Sequence, residues 1–221
     1  MDQSCVSCEA AIAGLCEAFA VAQAHDQPFA HWTVSQVFPA SLAQALADLP
    51  FPTVRLDGVS GKRELHNDQR HYFNRETNAR LEICAVVAQA FQSAAVVDAI
   101  SRMTGASVAG SYVRLEYAQD TDGFWLAPHT DLGVKTFTML IYLDGADQSD
   151  LGTDLYFDPQ TWAKRTPFIG NTAVVFTPGD NTWHGLAHRP IKGVRRSVIM
   201  NYVTDGWRER GQLAFPDQAV G

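Results

Sequence analysis

Cysteine is scarce in this chain, and the few present do not pair in a finger-like pattern. Of four cysteines, Cys5, Cys8 and Cys16 crowd the start and Cys84 stands apart. Cys5-x-x-Cys8 has the spacing of half a zinc or redox site, yet no second pair follows at finger spacing. A run of reduced thiols is therefore expected. Long apolar runs are missing too, and nothing approaches the ~20 residues that a membrane-spanning helix needs. The opening MDQSCVSCEA lacks the basic segment of a secretory signal. Positive charge is in deficit: 17 Lys and Arg stand against 24 Asp and Glu, a net charge of -7. That balance argues against a surface built to follow nucleic-acid phosphates or anionic lipid. Repeats, low-complexity tracts and an interdomain linker are also missing. The expectation is a soluble, cytoplasmic protein with no nucleic-acid or membrane partner.

The 221 residues, 46% of them hydrophobic and 19% charged, suit one large domain with a substantial core. Its first part, 1–105, reads as a helical or mixed support region. Helical spacing runs through 8–24, and 31–38 alternates like a strand. Residues 39–49 start a helix at Pro39 with Leu42, Leu46 and Leu49 on one side. Residues 51–76 are polar and glycine-broken, so they read as loop and short strand. Residues 78–105 read as one long helix or two consecutive ones, ending at Gly105. From 106 to 205 the texture changes to short β-branched and aromatic runs separated by turn residues such as DTDG and TPGDN. The fold class is mainly β with N-terminal helices, its strands closing as a sandwich or jelly-roll barrel. Residues 206–221 form a C-terminal extension.

His129 and Asp131 sit two apart in APHTDLGVKTF, an otherwise apolar and β-branched stretch. Residues i and i+2 of a strand share a face, so the two are placed to hold one ion at a strand end. His184, among the turn residues of FTPGDNTWHGL, offers a third donor from a distant segment. Two imidazoles and one carboxylate on one face of an octahedral ion are the donor set of non-haem Fe(II) oxygenases. The other histidines (His25, His31, His66, His71, His188) show no such partnering and are expected to be structural or surface residues. GVRRSVIMNYV puts Arg195 and Ser197 on one strand face, suited to the far carboxylate of a dicarboxylate ligand. The competing reading is a solvated basic turn, since Lys192, Arg195 and Arg196 cluster. Strand alternation sends Arg196 to the opposite face.

From about Ser111 to Val203 the sequence resembles the 2-oxoglutarate- and Fe(II)-dependent dioxygenases, in their prolyl-hydroxylase-like branch. The resemblance lies in RLEYAQDTDGFWLAPHTD, LGTDLYFDP, VVFTPGDNTWHG and RRS, in that order. Asp150-Leu151-Gly152-Thr153 departs from the family by keeping one glycine of a usual pair. The resemblance implies a double-stranded β-helix core buttressed by helices, with Fe(II) on His129, Asp131 and His184. It implies 2-oxoglutarate held by Arg195 and Ser197, O2 as the other co-substrate, and release of succinate and CO2. Tyr117 is either a further hydroxyl for the co-substrate or a core aromatic. Asn201 and Trp125 are candidate pocket residues, and Trp183 and Asn181 lie near the ligands in sequence. Because Asp131 is a carboxylate, hydroxylation is implied rather than halogenation. The substrate would be a small molecule or an amino-acid or peptidyl group. Residues 61–76 either edge the entrance, with Arg70 and Arg75 meeting an anionic group, or form a solvated loop. Two rival readings stand: a cupin-like isomerase or hydrolase, and a non-catalytic ligand-binding barrel.

Overall fold

A computed structural model of the chain describes residues 7–53, 61–62, 70–131, 133–143 and 148–221. Cys5, His66 and much of the 61–76 segment lie outside the described residues. Among those described, seven strands form one antiparallel sheet in the order β1 (Gln23–His25), β2 (His31–Ser35), β9 (Thr172–Phe176), β6 (Lys135–Tyr142), β11 (Arg195–Val203), β4 (Tyr112–Asp120), β3 (His71–Tyr72). Four more form a second: β5 (Leu126–His129), β10 (His184–Leu186), β7 (Asp154–Tyr156) and β8 (Trp162–Arg165). The helices are α1 (Cys8–Ala20), α2 (Ala40–Ala47), α3 (Arg75–Arg80), α4 (Glu82–Gln92) and α5 (Ala94–Thr104).

Period-two alternation on the large sheet separates two cores. One face carries Leu115 and Tyr117 of β4, Met139 and Ile141 of β6, and Val198, Met200 and Tyr202 of β11. These pack with Leu15, Leu42, Leu46, Phe91 and Ile100 of the helices. The other face carries Leu140, Val174, Phe176 and Ile199, which meet Leu155 and Leu186 of the small sheet. Of the two readings of 78–105, two consecutive helices is the one found: the chain breaks at Ser93, whose extended backbone (φ -70, ψ 141) cannot continue a helical turn. Its hydroxyl caps the next helix by accepting from the Val96 amide (3.4 Å). Gly105 closes α5 in the left-handed conformation, as the sequence suggests (φ 72). Three short strands escaped the sequence reading: β1, which takes the end of the segment read as helical to residue 24, β8, and β10 with its three residues. The exposed flank of β4 is covered by β3 and by the C-terminal segment, where the amides of Ala214 and Val220 donate to Val113 and Ser111 carbonyls (3.0 and 2.8 Å).

Asp154 ties the small sheet together. Its buried carboxylate accepts from Arg165 Nε (2.7 Å), Arg189 Nη1 (2.8 Å), the Ala187 amide (2.8 Å) and Trp162 Nε1 (3.1 Å). Removing it strands Arg189, itself largely buried, so Asp154→Ala should cost about 3–5 kcal/mol in urea unfolding.

His31 sets an acid limit. It is fully buried, with Nδ1 on the Phe29 carbonyl (2.7 Å) and no partner for Nε2. Burial pushes its pKa down to about 4. The unfolded chain, with an ordinary value of about 6.5, takes up the proton first, so stability should fall as pH drops from about 6.5 to 4. His31→Asn should flatten that slope by up to about one proton, read from unfolding at stepped pH.

Candidate metal centre

His129 closes β5 and His184 opens β10, and the two are directly opposed in the antiparallel ladder. Their rings lie 4.4 Å apart, tilted by 47°. Asp131 follows two residues past His129, and one donor atom from each of the three lies within 4.8 Å of the others. The imidazoles are oriented alike: His129 Nδ1 meets the Ala127 carbonyl and His184 Nδ1 the Thr182 carbonyl, both at 2.9 Å. A carbonyl only accepts, so each Nδ1 carries the hydrogen and each Nε2 keeps its lone pair for an ion. Gly185 makes the approach possible, because a Cβ there would stand 2.7 Å from the Leu126 carbonyl oxygen.

Asp131 is held ionised and His184 neutral, the states in which each can ligate a metal. Burial pushes the Asp131 carboxyl up, but Lys135, His184 and a hydrogen bond from Thr138 outweigh it and hold it well below the usual carboxylate range. Burial pushes His184 down to about 4 against the upward pull of Asp131, with His129 and Lys135 adding to the fall, so its imidazole is neutral at pH 7. Asp131 Oδ1 pairs with Lys135. Its Oδ2 accepts from Thr138 Oγ1 (2.6 Å), which accepts from Asn201 Nδ2 (2.9 Å). Asn201 Oδ1 in turn accepts from Arg114 Nη1 (3.2 Å).

Two spaces flank the triad. Behind it, a small cavity is lined by His184, Arg195, Ser197, Arg70, Asp120 and Thr153. In front, a groove of about 840 Å³ is lined by His129 and Asp131 together with Lys62, Lys135, Trp207 and Arg208. Arg195 and Ser197 share the cavity as their spacing suggests. Arg195 donates from Nε to the Leu151 carbonyl (2.7 Å) and from Nη1 to Asp120 Oδ2 (2.6 Å). The retained glycine matters here: a Cβ on Gly152 would fall 1.6 Å from the Thr166 carbonyl oxygen, so only glycine brings this loop close.

The structure places the remaining candidates, and Tyr117 takes the core-aromatic alternative. Tyr117 is not on the cavity side; its hydroxyl donates to the Leu46 carbonyl (3.0 Å) in the helical layer, because odd positions of β4 face outward. Asn201 is on the expected face but fully buried, and it reaches Thr138 and Arg114 rather than open space. Trp125 lies over Gly61, a lining residue of the groove, and supports its wall from behind. Arg75 is exposed and pairs with Asp217 (2.5 Å). Asp120, Thr138 and Lys135 were missed. The even-position pattern of Arg114, Glu116 and Asp120 along β4 was the signal that would have found Asp120.

No family model matches the chain, and no curated protein matches it in sequence. Solved structures do match. A Pseudomonas putida prolyl-4-hydroxylase aligns at 18% identity and TM-score 0.55, over 88% of this chain and 95% of that one. A Trichoplax adhaerens prolyl hydroxylase, in complex with a hypoxia inducible factor peptide fragment, aligns at 14% and 0.53, over 90% and 91%. HygX from Streptomyces hygroscopicus, with nickel, 2-oxoglutarate and hygromycin B bound, aligns at 14% and 0.54, over 81% and 84%. The chain has the prolyl-4-hydroxylase fold. Within that fold the two sheets are the jelly-roll core, and α1, α2, α4 and α5 buttress the larger one.

If the Arg114–Asn201–Thr138 chain orients Asp131, then Thr138→Val and Asn201→Leu should each weaken Mn(II) binding about 10- to 100-fold by calorimetry. His188 is exposed and outside the cluster, so His188→Ala should leave Mn(II) affinity unchanged.

Proposed function

We propose that the protein is an Fe(II)- and 2-oxoglutarate-dependent oxygenase that hydroxylates a C–H bond of a small-molecule or peptidyl substrate. One observation carries this reading: the His129–Asp131–His184 triad stands between a small cavity lined by Arg70 and Arg195 and a larger groove. A cupin-like isomerase or hydrolase needs the triad but has no use for Arg195 and Ser197 in a cavity beside it. Two Nε2 lone pairs and one ionised carboxylate suit Fe(II). When bound, Fe(II) with 2-oxoglutarate and O2 supplies C–H oxidation coupled to release of succinate and CO2.

The chain's own residues do the remaining work. The carbonyls of Ala127 and Thr182 fix the imidazole tautomers, and Thr138 fixes the carboxylate. Arg195 and Ser197 receive the distal carboxylate of 2-oxoglutarate. Phe124, Leu126, Leu140 and Ile199 line the same cavity and keep water from it. The substrate lies in the groove, whose volume is in the range of small-molecule sites. Groove openness suits either occupant, and the fold's neighbours include proteins solved with a peptide fragment and with hygromycin B.

Anaerobic addition of Fe(II) and 2-oxoglutarate tests the proposal. A weak visible charge-transfer band should appear and vanish in His129→Ala, Asp131→Ala and His184→Ala. Tight zinc retention without a band would favour the cupin-like reading. Arg195→Ala should weaken 2-oxoglutarate binding at least about tenfold, since a charge-assisted contact is worth about 1.5–3 kcal/mol. Arg196, on the opposite face of the strand, should be replaceable by alanine with near-normal 2-oxoglutarate affinity in the same titration.

A further inference from the structure

Arg70 stands directly before β3, whose pairing with β4 (His71 with Tyr117, Tyr72 with Glu116) turns its side chain towards the barrel interior. It is 8% exposed and shares the small cavity with Arg195 and Ser197. Its Nη2 lies 2.8 Å from Asp120 Oδ1, and its Nε is 3.7 Å from Glu116 Oε1. Asp120 Oδ1 has no directed hydrogen bond, so the first contact is an ion pair by distance alone. Nε and Nη1 of Arg70 are both buried without a hydrogen-bond partner. Buried donors, and charged ones above all, are ordinarily satisfied.

The charges point the same way. Arg70 and Arg195 face one carboxylate, Asp120, across this cavity, while Glu116 has its own close partner in Arg114 (2.7 Å). The cavity wall therefore holds an excess of one positive charge and spare N–H donors. A single carboxylate group meets both needs, because it can accept from two guanidinium groups at once. Phe124, with its ring 5.2 Å from the Arg70 guanidinium, packs against it as part of the same cavity lining, and Nη1 is left as the donor with no acidic neighbour.

We infer that Arg70 is a second carboxylate-binding residue of the co-substrate cavity, acting beside Arg195 and selecting a dicarboxylic 2-oxo acid over a monocarboxylic one. This inference rests on the oxygenase reading above. Asp120 is the hub that holds both guanidinium groups at one spacing, and Arg70 belongs to the specificity of the site rather than to its metal.

The test compares 2-oxoglutarate with 2-oxopentanoate, which keeps the chelating end and lacks the distal carboxylate. Each is titrated anaerobically into Fe(II)-loaded protein by the charge-transfer band, with Mn(II) affinity as a control for the fold. Arg70→Gln should weaken 2-oxoglutarate at least about tenfold and leave 2-oxopentanoate and Mn(II) nearly unchanged. The double variant Arg70→Gln/Asp120→Asn restores the charge of the cavity but not the donors, and it should stay weak for 2-oxoglutarate. Recovery of the double variant to wild-type affinity would assign Arg70 a neutralising role only and overturn the inference. Equal losses for both acids would do the same. Should Arg70→Gln fail to bind Mn(II), Arg70→Lys keeps the charge without the fork, and unchanged 2-oxoglutarate affinity there also overturns it. Wild-type protein that binds neither acid overturns the oxygenase reading itself. Wild-type binding with an unaltered ratio in Arg70→Gln overturns only the role of Arg70.

Discussion

Asp120 is a carboxylate with almost no access to water, and much of the barrel interior is organised around keeping it charged. Burial raises its pKa, but Arg70 and Arg195 more than compensate and hold it below the ordinary value. From this residue a polar spine runs the length of the interior. Arg195 meets Asp120, Asp120 meets Arg70, and Glu116 lies between Arg70 and Arg114. Arg114 then reaches Asn201, Thr138 and finally Asp131. Breaking one buried pair leaves a bare charge, at a cost of about 3–5 kcal/mol. The far end of the cavity and the metal end are thus parts of one electrostatic assembly.

The spine has room because the large sheet divides its duties by face. Its outward residues are apolar and meet the helices, while the inward residues of β4 and β11 are largely polar. Ser197 pairs with Ala118, Asn201 with Arg114, and Arg195 with Asp120 across the β4–β11 ladder. The helices supply the apolar burial that the inner face gives up.

How far the sequence is legible follows from these local rules. His129 and Asp131, and likewise Arg195 and Ser197, follow two-residue spacing within a short segment and could be read directly, whereas His184 from a distant segment was drawn in by the donor set. The same parity, applied to β4, separates Tyr117 from Asp120 and decides between the two readings of Tyr117 in favour of the core aromatic. β10 was hidden because three residues carry too little alternation to stand out from the turns around them. Arg70 sat in a stretch whose average composition is polar, and burial of one residue within it depends on β3 pairing far away in the chain. The Ser93 break was open in the sequence as one of two readings, because an alanine-rich surrounding suits one helix or two alike. Asp154 gives no local sign either, since its partners Arg165, Ala187 and Arg189 come from other segments.

Gly185 has no side chain to offer a metal or a substrate, yet the meeting of His129 and His184 depends on what it lacks. A methyl group there would collide with the backbone of β5 at Leu126 and Ala127. Inheritance of the site is therefore constrained at a position where no chemistry occurs. Among descendants of this chain, intact histidines and aspartate beside a bulky residue at 185 would mark a barrel whose centre had come apart while its signature remained readable.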